Sequence, residues 1–396
     1  MKYDFETVVS RSGNCSSKWD QMKGWNPNVG SDIVPFSVAD MELRNAPEII
    51  EGIKEYVDKT ILGYTNAGEA YYNAVCGWMD RRHSWDIKPE WILGTPGVVN
   101  AFYTAVKAFT KPGEGVILMT PVYYPMYMAV ERNKRKIVRN PLIYKDNRYS
   151  VDFNDLEEKA KDPNNTLIIL CSPHNPVGRV WTPEELERIG RICIDNNVVI
   201  VSDEIHFDII MPGYKHTVFA TISEEFADHS IVCTAPSKTF NLAGLQTSNI
   251  IIRNKRLRER FREEQLSVSI SRLNMIGYKA CELAYDKGEE WLEQLLLHID
   301  HNRLVLTEYM EQNLSQIKVI PIEGTYLQWL DLNALGISPL ELERIMHMEA
   351  QVFFDEGYVF GEEGKGFERM NIACPTNIML VALERMKKTL DQYMRG

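Results

Sequence analysis

The segment APSKTFNLAGLQ, residues 235–246, places Lys238 between two strand-like apolar runs, 230–233 and 249–252. A lysine in this setting is expected to be buried, and burial lowers the pKa of an ammonium group. The resulting neutral amine is a nucleophile that can condense with an aldehyde. Lys238 is therefore a candidate nucleophile, and a solvated loop lysine is the alternative.

Polar side chains follow two further strand-like runs. Asn175 comes shortly after 167–171, and Asp203 comes directly after 198–201. Functional residues in open α/β sheets gather at the carboxyl ends of strands, so both belong to the candidate site. The Asn175 amide can donate a hydrogen bond to a phenolic oxygen. An aspartate such as Asp203 can pair with a protonated pyridine nitrogen and make the ring an electron sink.

Other interpretations of these two segments stay open. The Asn175-Pro176 pair and the following Gly178 are typical of an ordinary turn. Asp203 could bind a metal ion together with His206 and Asp208. Metal sites usually have further ligands and supporting groups, and no convincing one lies nearby in the sequence. We therefore predict no metal site.

A tight turn at Gly97 leads from a strand-like run into a helical pattern that continues through Phe109. Such a turn presents free backbone N–H groups to an anion. A plain strand-to-helix turn is the alternative, and the glycine and lysine fingerprints of dinucleotide and triphosphate sites are missing. Together with the amine, the amide and the carboxylate, this cradle supplies what a pyridoxal 5′-phosphate (PLP) site needs.

The elements that must position these residues alternate between strands and helices through the middle of the chain. Short, continuously apolar runs are typical of strands buried on both faces, and they predict an α/β domain with a mainly parallel sheet. The predicted strands cover 91–93, 115–119, 166–171, 198–201 and 231–233. Thr182, Pro183 and Glu185 predict a capped helix start.

The two ends of the chain have different patterns. Residues 1–45 show no sustained periodicity and predict an arm or lid segment. Helical patterns dominate 255–312, and an α+β tail follows, with strands at 325–330 and 367–372 and a capped helix from Ser338. We place the domain boundaries near residues 45 and 290.

Composition excludes several classes of protein. The chain has 396 residues and a net charge of −11, which argues against general nucleic-acid binding. Its seven cysteines include no Cys-x-x-Cys pair, which favours a reducing cytoplasm over a disulfide framework. It has no apolar stretch of about 18 residues to span a bilayer, and its first residues lack the apolar core of a secretory signal. We expect a cytoplasmic enzyme without a membrane or nucleic-acid partner.

The order Tyr123, Asn175, Asp203, Lys238, Arg369 resembles the fold-type I PLP enzymes of the aspartate aminotransferase superfamily, over nearly the whole chain. Three strings are similar to the bacterial cystathionine β-lyases, or C–S lyases, of the aminotransferase type: FSVADMEL at 36–43, SDEIHFD at 202–208 and SKTFNLAGLQTS at 237–248. The resemblance implies a large PLP-binding domain over 46–290 with a seven-stranded sheet sandwiched by helices. It also implies a smaller α+β domain over 291–396. The segment over 1–45 would serve as an arm or join the small domain.

The resemblance also implies roles for individual residues around the cofactor. Lys238 would hold PLP covalently and later move the substrate Cα proton, Asp203 would pair with the pyridine nitrogen, and Asn175 would bond the ring's 3-oxygen. Tyr123 would stack on the ring and His206 would lie beside it. The phosphate would be bound by the turn at Gly97, Val98 and Val99 with help from Ser237.

Further roles concern the substrate and a second subunit. Arg369 would clamp the α-carboxylate of an amino-acid substrate through a planar bidentate fork, next to Val38, Ala39 and Asn175. Tyr64 would reach into the site of the neighbouring subunit, which implies a homodimer. Ordinary packing is the alternative for Tyr64 and Tyr123, and a surface salt bridge is the alternative for Arg369.

Three positions depart from a family pattern. Gln246, eight residues after Lys238, stands where typical aminotransferases have a cation on the phosphate. His206 stands where many have tyrosine, and Ser37 stands where many lyases have tryptophan. The first two are features of the C–S lyase branch and favour α,β-elimination from L-cysteine conjugates. An aminotransferase and a PLP-binding regulator with weak catalysis are the alternatives.

Overall fold

The computed structural model describes residues 2–394 as alternating helices and strands. Its α-helices are α1 (Ser17–Trp25), α2 (Pro47–Lys59), α3 (Glu69–His83), α4 (Val98–Phe109), α5 (Tyr124–Arg132), α6 (Phe153–Ala160), α7 (Pro183–Asp195), α8 (Glu224–Asp228), α9 (Pro236–Thr239), α10 (Lys255–Ser267), α11 (Met275–Lys287), α12 (Glu289–Asn313), α13 (Pro339–Arg344) and α14 (Thr376–Met394). Its strands are β1 (Ile92–Thr95), β2 (Gly115–Thr120), β3 (Lys136–Pro141), β4 (Ile143–Lys145), β5 (Arg148–Ser150), β6 (Asn165–Cys171), β7 (Val199–Asp203), β8 (Ser230–Thr234), β9 (Ser248–Ile251), β10 (Lys318–Val319), β11 (Leu327–Asp331), β12 (Asp355–Glu356) and β13 (Phe367–Asn371).

The strands in the middle of the chain form a seven-stranded sheet in the order β1-β9-β8-β7-β6-β2-β3. The pairs from β8 through β3 are parallel, whereas β9 is antiparallel to both of its neighbours. The predicted α/β fold with a mainly parallel sheet is therefore confirmed. Because the parallel strands share one direction, their carboxyl ends lie at one edge of the sheet, where functional residues of such folds gather.

Both faces of the central strands β2, β6, β7 and β8 are buried, which explains why these strands are continuously apolar. Successive residues point to opposite faces of a strand. Ile117 and Ile168 pack in a core that includes residues of α6 and α7, whereas Val116 and Leu167 pack in a second core that includes residues of α4 and α5. With no face left for water, these strands show no alternation of polar and apolar residues.

A second, four-stranded antiparallel sheet in the order β10-β11-β13-β12 occupies the C-terminal part of the chain. The segment before α2 packs on it: Phe36 N–H donates to the Phe353 carbonyl at 2.8 Å, and Asn371 N–H donates to the Phe36 carbonyl at 2.8 Å. This segment also contains α1, which the sequence pattern did not predict. The domain boundaries near 45 and 290 stay predictions.

Several local expectations have clear outcomes. Thr182 and Glu185 form the predicted capping box of α7, and Ser338 caps α13 as expected. Trp91 was expected to open a strand but lies in a single 3₁₀ turn before β1. All seven cysteines are free. Within residues 2–394, no helix combines the length and the apolar character that crossing a membrane requires.

Candidate active site

Lys238 lies in the short helix α9, which follows β8, and its side chain lines a concave pocket with a cavity volume of about 160 Å³. Its Nζ donates a hydrogen bond to the Ala39 carbonyl at 2.6 Å. Burial lowers the pKa of Lys238 to about 8, while Asp40 partly opposes the shift. A substantial fraction of the amine is therefore neutral near physiological pH, as a nucleophile requires.

Asp203 ends β7 and lines the same pocket. Its side chain is only 3% exposed, and Oδ1 accepts a backbone hydrogen bond from Ile205 at 3.3 Å. Burial raises the pKa of this carboxyl to about 7. A cationic group placed beside Asp203 would favour its ionised form, as a protonated ring nitrogen would.

Asn175 lines the pocket and is hydrogen-bonded to Arg369. Arg369 Nη1 donates to Asn175 Oδ1 at 2.9 Å, and Nη2 forms an ion pair with Asp355. The guanidinium is 2% exposed, so the surface salt bridge that was the alternative for Arg369 is wrong. Because this bond uses the oxygen of Asn175, its NH₂ group stays oriented as a donor, and Asn175 lines the pocket.

The turn before α4 forms a cradle at one end of the pocket. Gly97 has a positive φ of 84°, and α4 begins at Val98 with free N–H groups in its first turn. A methyl group on Gly97 would come within 3.0 Å of Gln246 Oε1. The residues of the pocket lining include Gly97, Val98, Val99, Ser237 and Gln246, together with Pro96, Phe102, Ala243 and Thr247. The arrangement suits an anion such as a phosphate, since it combines a helix N-terminus with a close backbone approach.

Tyr123 and His206 also line the pocket. Burial raises the pKa of the Tyr123 hydroxyl, so the phenol is neutral. Burial likewise lowers the pKa of His206 well below its usual value, and the ring packs edge-on against Tyr326 with centroids 5.8 Å apart. His206 is therefore a neutral, flat wall of the pocket.

The segment Val38–Ala39 reaches the pocket from the N-terminal part of the chain. Val38 has a φ of 55°, a rare conformation for a β-branched residue. Its N–H donates to Asp355 Oδ2 at 2.9 Å, and its carbonyl accepts from Asn371 Nδ2 at 2.8 Å. Backbone strain of this kind persists only where surrounding contacts impose it, and it clusters at functional sites.

Tyr64 does not line the pocket of its own chain. Its side chain is 99% exposed, and its ring lies 5.9 Å from the guanidinium of Arg272. The ordinary half-buried packing that was its alternative is therefore wrong.

The alternative metal site of Asp203, His206 and Asp208 is not formed by the residues that the structure describes. Asp208 instead accepts hydrogen bonds from Thr239 at 2.6 Å and from Trp78 at 3.2 Å. Since Thr239 follows Lys238 in α9, Asp208 helps to fix the position of that helix.

Sequence reasoning missed two residues that shape the site. Asp355 binds both Arg369 and the backbone of Val38. Tyr326 donates to the same Ala39 carbonyl that Lys238 contacts, at 3.0 Å. Neither follows a buried parallel strand, so no local signal marked them. The pairing of β12 with β13, which sets Asp355 opposite Arg369, is a long-range contact.

The residues of the pocket fit PLP. The cradle at Gly97 suits its phosphate, Asp203 suits its ring nitrogen, and the NH₂ group of Asn175 suits its phenolic oxygen. Lys238 lines the same pocket, and its own amine is partly neutral. Each group of the cofactor therefore has a chemically matched partner.

Comparisons with known proteins agree with this chemistry. Residues 31–386 match the family model described as aminotransferase class I and II. Cystathionine beta-lyase PatB of Bacillus subtilis (strain 168) is 43% identical over 98% of this chain and 100% of its own length. The crystal structure of cystalysin from Treponema denticola, which contains PLP, superimposes with a TM-score of 0.98 at 50% identity, covering 99% of this chain and 100% of the other. The PLP-bound C–S lyase from Staphylococcus hominis has a TM-score of 0.91 at 32% identity, covering 98% of both chains.

Proposed function

This chain belongs to the aminotransferase class I and II family and is a PLP-dependent carbon–sulfur β-lyase, and we propose that the Lys238 pocket carries out its chemistry. The reaction is α,β-elimination of a thiol from L-cysteine conjugates, followed by hydrolysis of the aminoacrylate product with one water to pyruvate and ammonia. The observation that supports this placement is the single pocket that Lys238, Asp203, Asn175 and the turn at Gly97 line together.

The cofactor half of the pocket binds and orients PLP. When bound, PLP supplies an electron sink for the electron pair left at the substrate Cα. Asp203 would hold the ring nitrogen protonated, and Asn175 would donate to the phenolic oxygen. The N–H groups of Gly97, Val98 and Val99 would hold the phosphate, with Ser237 beside them. Tyr123 would pack against the ring, and His206 would form a neutral wall of the ring site.

Lys238 moves protons. When PLP is bound, Lys238 would be the residue that holds it covalently, and its free Nζ would act as a general base in the pocket. Its pKa, lowered to about 8 by burial, is close to the operating pH, which favours proton transfer. The amine takes the proton from Cα, and the thiolate leaves from Cβ.

Arg369 positions the substrate. Its planar guanidinium matches a carboxylate in a bidentate way, and its present partners, Asn175 and Asp355, hold it in place. Val38 and Ala39 lie near Arg369. The Val38 N–H donates a hydrogen bond to Asp355, the ion-pair partner of Arg369, and Ala39 lines the pocket. An α-amino acid bound through its carboxylate would thus present Cα to Lys238.

A homodimer completes this site in our proposal. Ile61, Leu62 and Tyr64 are exposed by 89%, 68% and 99%, which is unusual for three large side chains so close in sequence. In a dimer this loop would be buried, and Tyr64 would enter the pocket of the other subunit. Sedimentation equilibrium of the wild-type protein and of Tyr64→Phe tests the assembly, while the activity of the variant tests the contribution of the hydroxyl.

A panel of sulfur amino acids, L-cystathionine among them, tests the function. The purified holoenzyme is incubated without any keto acid, and both pyruvate and thiol are measured. We expect equal amounts of the two products. Amino transfer that requires a keto acid and releases no thiol would identify an aminotransferase instead. A protein that binds PLP but turns over no amino acid would be a regulator.

A further inference from the structure

A group of buried acidic residues and one histidine lies behind the Arg369 clamp. Strands β12 and β13 pair so that Asp355 faces Arg369 and Glu356 faces Glu368. Neighbouring residues of a strand point to opposite faces. The first pair therefore serves the substrate side of the sheet, and the second pair lies on the other side with His347.

His347 packs against two aromatic rings, and its Nε2 has no hydrogen-bond partner. The ring stacks on both Trp25 and Phe353, with centroids 4.5 and 5.1 Å away. The residue is 4% exposed, and its Nε2 forms no hydrogen bond. That nitrogen lies 3.3 Å from Glu356 Oε1, which has no hydrogen-bond partner either. The two atoms face each other within ion-pair distance but without hydrogen-bond geometry, and a cation bound by both would satisfy them.

The carboxylates beside His347 are not neutralised by cationic side chains. Glu356 is 6% exposed and Glu368 is 1% exposed, and in residues 2–394 no lysine or arginine forms an ion pair with either. Glu343 completes the group from the end of α13, and its Oε2 accepts a hydrogen bond from the Tyr358 hydroxyl at 2.8 Å. Glu356 and Glu368 are hydrogen-bonded to each other, which requires a proton on one of them. A bound cation is the other way to stabilise two buried carboxyl groups side by side.

We propose that Glu343, His347 and Glu356 bind a divalent transition-metal cation. One ligand atom from each of the three residues lies within 4.8 Å of the others, so small side-chain rotations bring all three around one ion. Glu343 and His347 are four residues apart at the junction of α13 and the π-helical segment Ile345–Ala350. Isolated π-turns are frequent at functional sites.

The chemistry of the ligands selects the class of ion. One imidazole and two carboxylates suit Zn²⁺ and Mn²⁺, whereas Ca²⁺ and Mg²⁺ prefer oxygen ligands alone. Three protein ligands leave a fourth position for water or for Glu368. Tyr358 would hold Glu343 from outside, as supporting groups around metal ligands commonly do. The ion would tie β12 to α13 and thereby brace the strand that carries Asp355.

Equilibrium dialysis of the PLP-bound enzyme against Zn²⁺, with metal analysis of the dialysed protein, tests the site. All proteins carry Cys15→Ser, because Cys15 is an exposed thiol that could bind zinc on its own. Glu343→Gln and His347→Gln remove ligands. Glu341→Gln is the matched control, since Glu341 lies on the same helix and pairs with Arg344 at the surface.

We expect one zinc per chain in the parent and in Glu341→Gln, and at least about tenfold weaker binding in Glu343→Gln and His347→Gln. Added zinc should also raise the melting temperature of the parent and leave that of Glu343→Gln unchanged. If His347→Gln fails to fold, Glu343→Gln decides, because Glu343 is only half-buried. Absence of stoichiometric zinc in the parent, or equal binding in parent and Glu343→Gln, would overturn the proposal. Neither measurement depends on turnover, so a failed lyase assay would leave it intact.

Discussion

The two halves of the active-site pocket are built in opposite ways. The cofactor half comes from the carboxyl edge of one parallel sheet, where Asp203 is a buried carboxyl without an ion-pair partner in the described part of the chain. The substrate half joins β13 of the smaller sheet to the N-terminal segment, and Arg369 there already contacts Asp355 and Asn175. In the cofactor half, Asp203 obtains a charged partner only when a ligand binds. In the substrate half, Arg369 must bind a substrate carboxylate while it still contacts Asp355 and Asn175.

This difference assigns separate tasks to the two halves. Changes in the cofactor half should alter kcat and the bound cofactor, because they touch groups that act on the reacting atoms. Changes in the substrate half should alter mainly KM, because they touch groups that hold a carboxylate away from those atoms. If changes in the two halves did not affect kcat and KM separately, the two halves would not have separate tasks.

The largest effect is expected from Lys238→Ala. The change removes both the covalent attachment of PLP and the amine that moves the Cα proton. Proton transfer alone contributes about 10²–10⁴-fold to a rate, so pyruvate release should fall by at least about 10⁴-fold. The measurement is steady-state pyruvate formation together with the visible absorbance of the purified protein. Lys161→Ala, at an exposed lysine of the same chain, is the control and should retain full activity.

Asp203→Asn should have the next largest effect. Asparagine keeps the shape of the side chain but carries no negative charge to hold the ring nitrogen protonated. Loss of one such electrostatic contact costs about 10²–10³-fold in kcat, and KM should change less. Steady-state kinetics with saturating PLP measure both constants, and Asp162→Asn at an exposed position is the control. A kcat within about threefold of wild type would contradict the role of Asp203.

Arg369→Lys tests the substrate half. Lysine keeps the positive charge and loses the planar fork, so one charged hydrogen bond to the carboxylate disappears. Such a bond contributes about 1.5–3 kcal/mol, which corresponds to a rise in KM of about 10–150-fold. The kcat should fall less than in Asp203→Asn. Arg344→Lys, at a half-exposed arginine, is the control. A fall in kcat at constant KM would show that the two halves do not divide their tasks.

The same contrast explains what the sequence could predict. Asp203 ends the buried strand β7 and Asn175 comes shortly after β6, and their positions could be inferred from local patterns because parallel strands end at one edge. The α/β fold was predictable for the same reason, since continuously apolar strands indicate a sheet covered on both faces. Arg369 had no such signal, and only the resemblance to a known family indicated its role.

The missed features all depend on contacts between distant parts of the chain. Asp355 gained its place from the pairing of β12 with β13, and Tyr326 from its hydrogen bond to Ala39. Helix α1 lacks a clear apolar stripe, and its buried residues Trp19 and Met22 pack with Phe353. Such contacts cannot be deduced from periodicity, because they are set by tertiary packing.

The smallest expected effect is the pH dependence of covalent PLP binding by Lys238. It tests how strongly the cofactor half of the pocket excludes water. Burial lowers the pKa of Lys238 in the cofactor-free chain to about 8, compared with an ordinary value of 10.5. Only the neutral amine attacks an aldehyde, so protonation at low pH slows capture. The neutral fraction rises from about one tenth at pH 7 to about nine tenths at pH 9. The rate of covalent capture, followed by stopped-flow absorbance after PLP is mixed with apoprotein, should therefore rise about tenfold over this interval and then level off.

Lys238→Ala should show no such phase. A rate that kept rising through pH 10 would mean that Lys238 is as well solvated as a surface lysine, and the contrast between the two halves would not extend to their solvation.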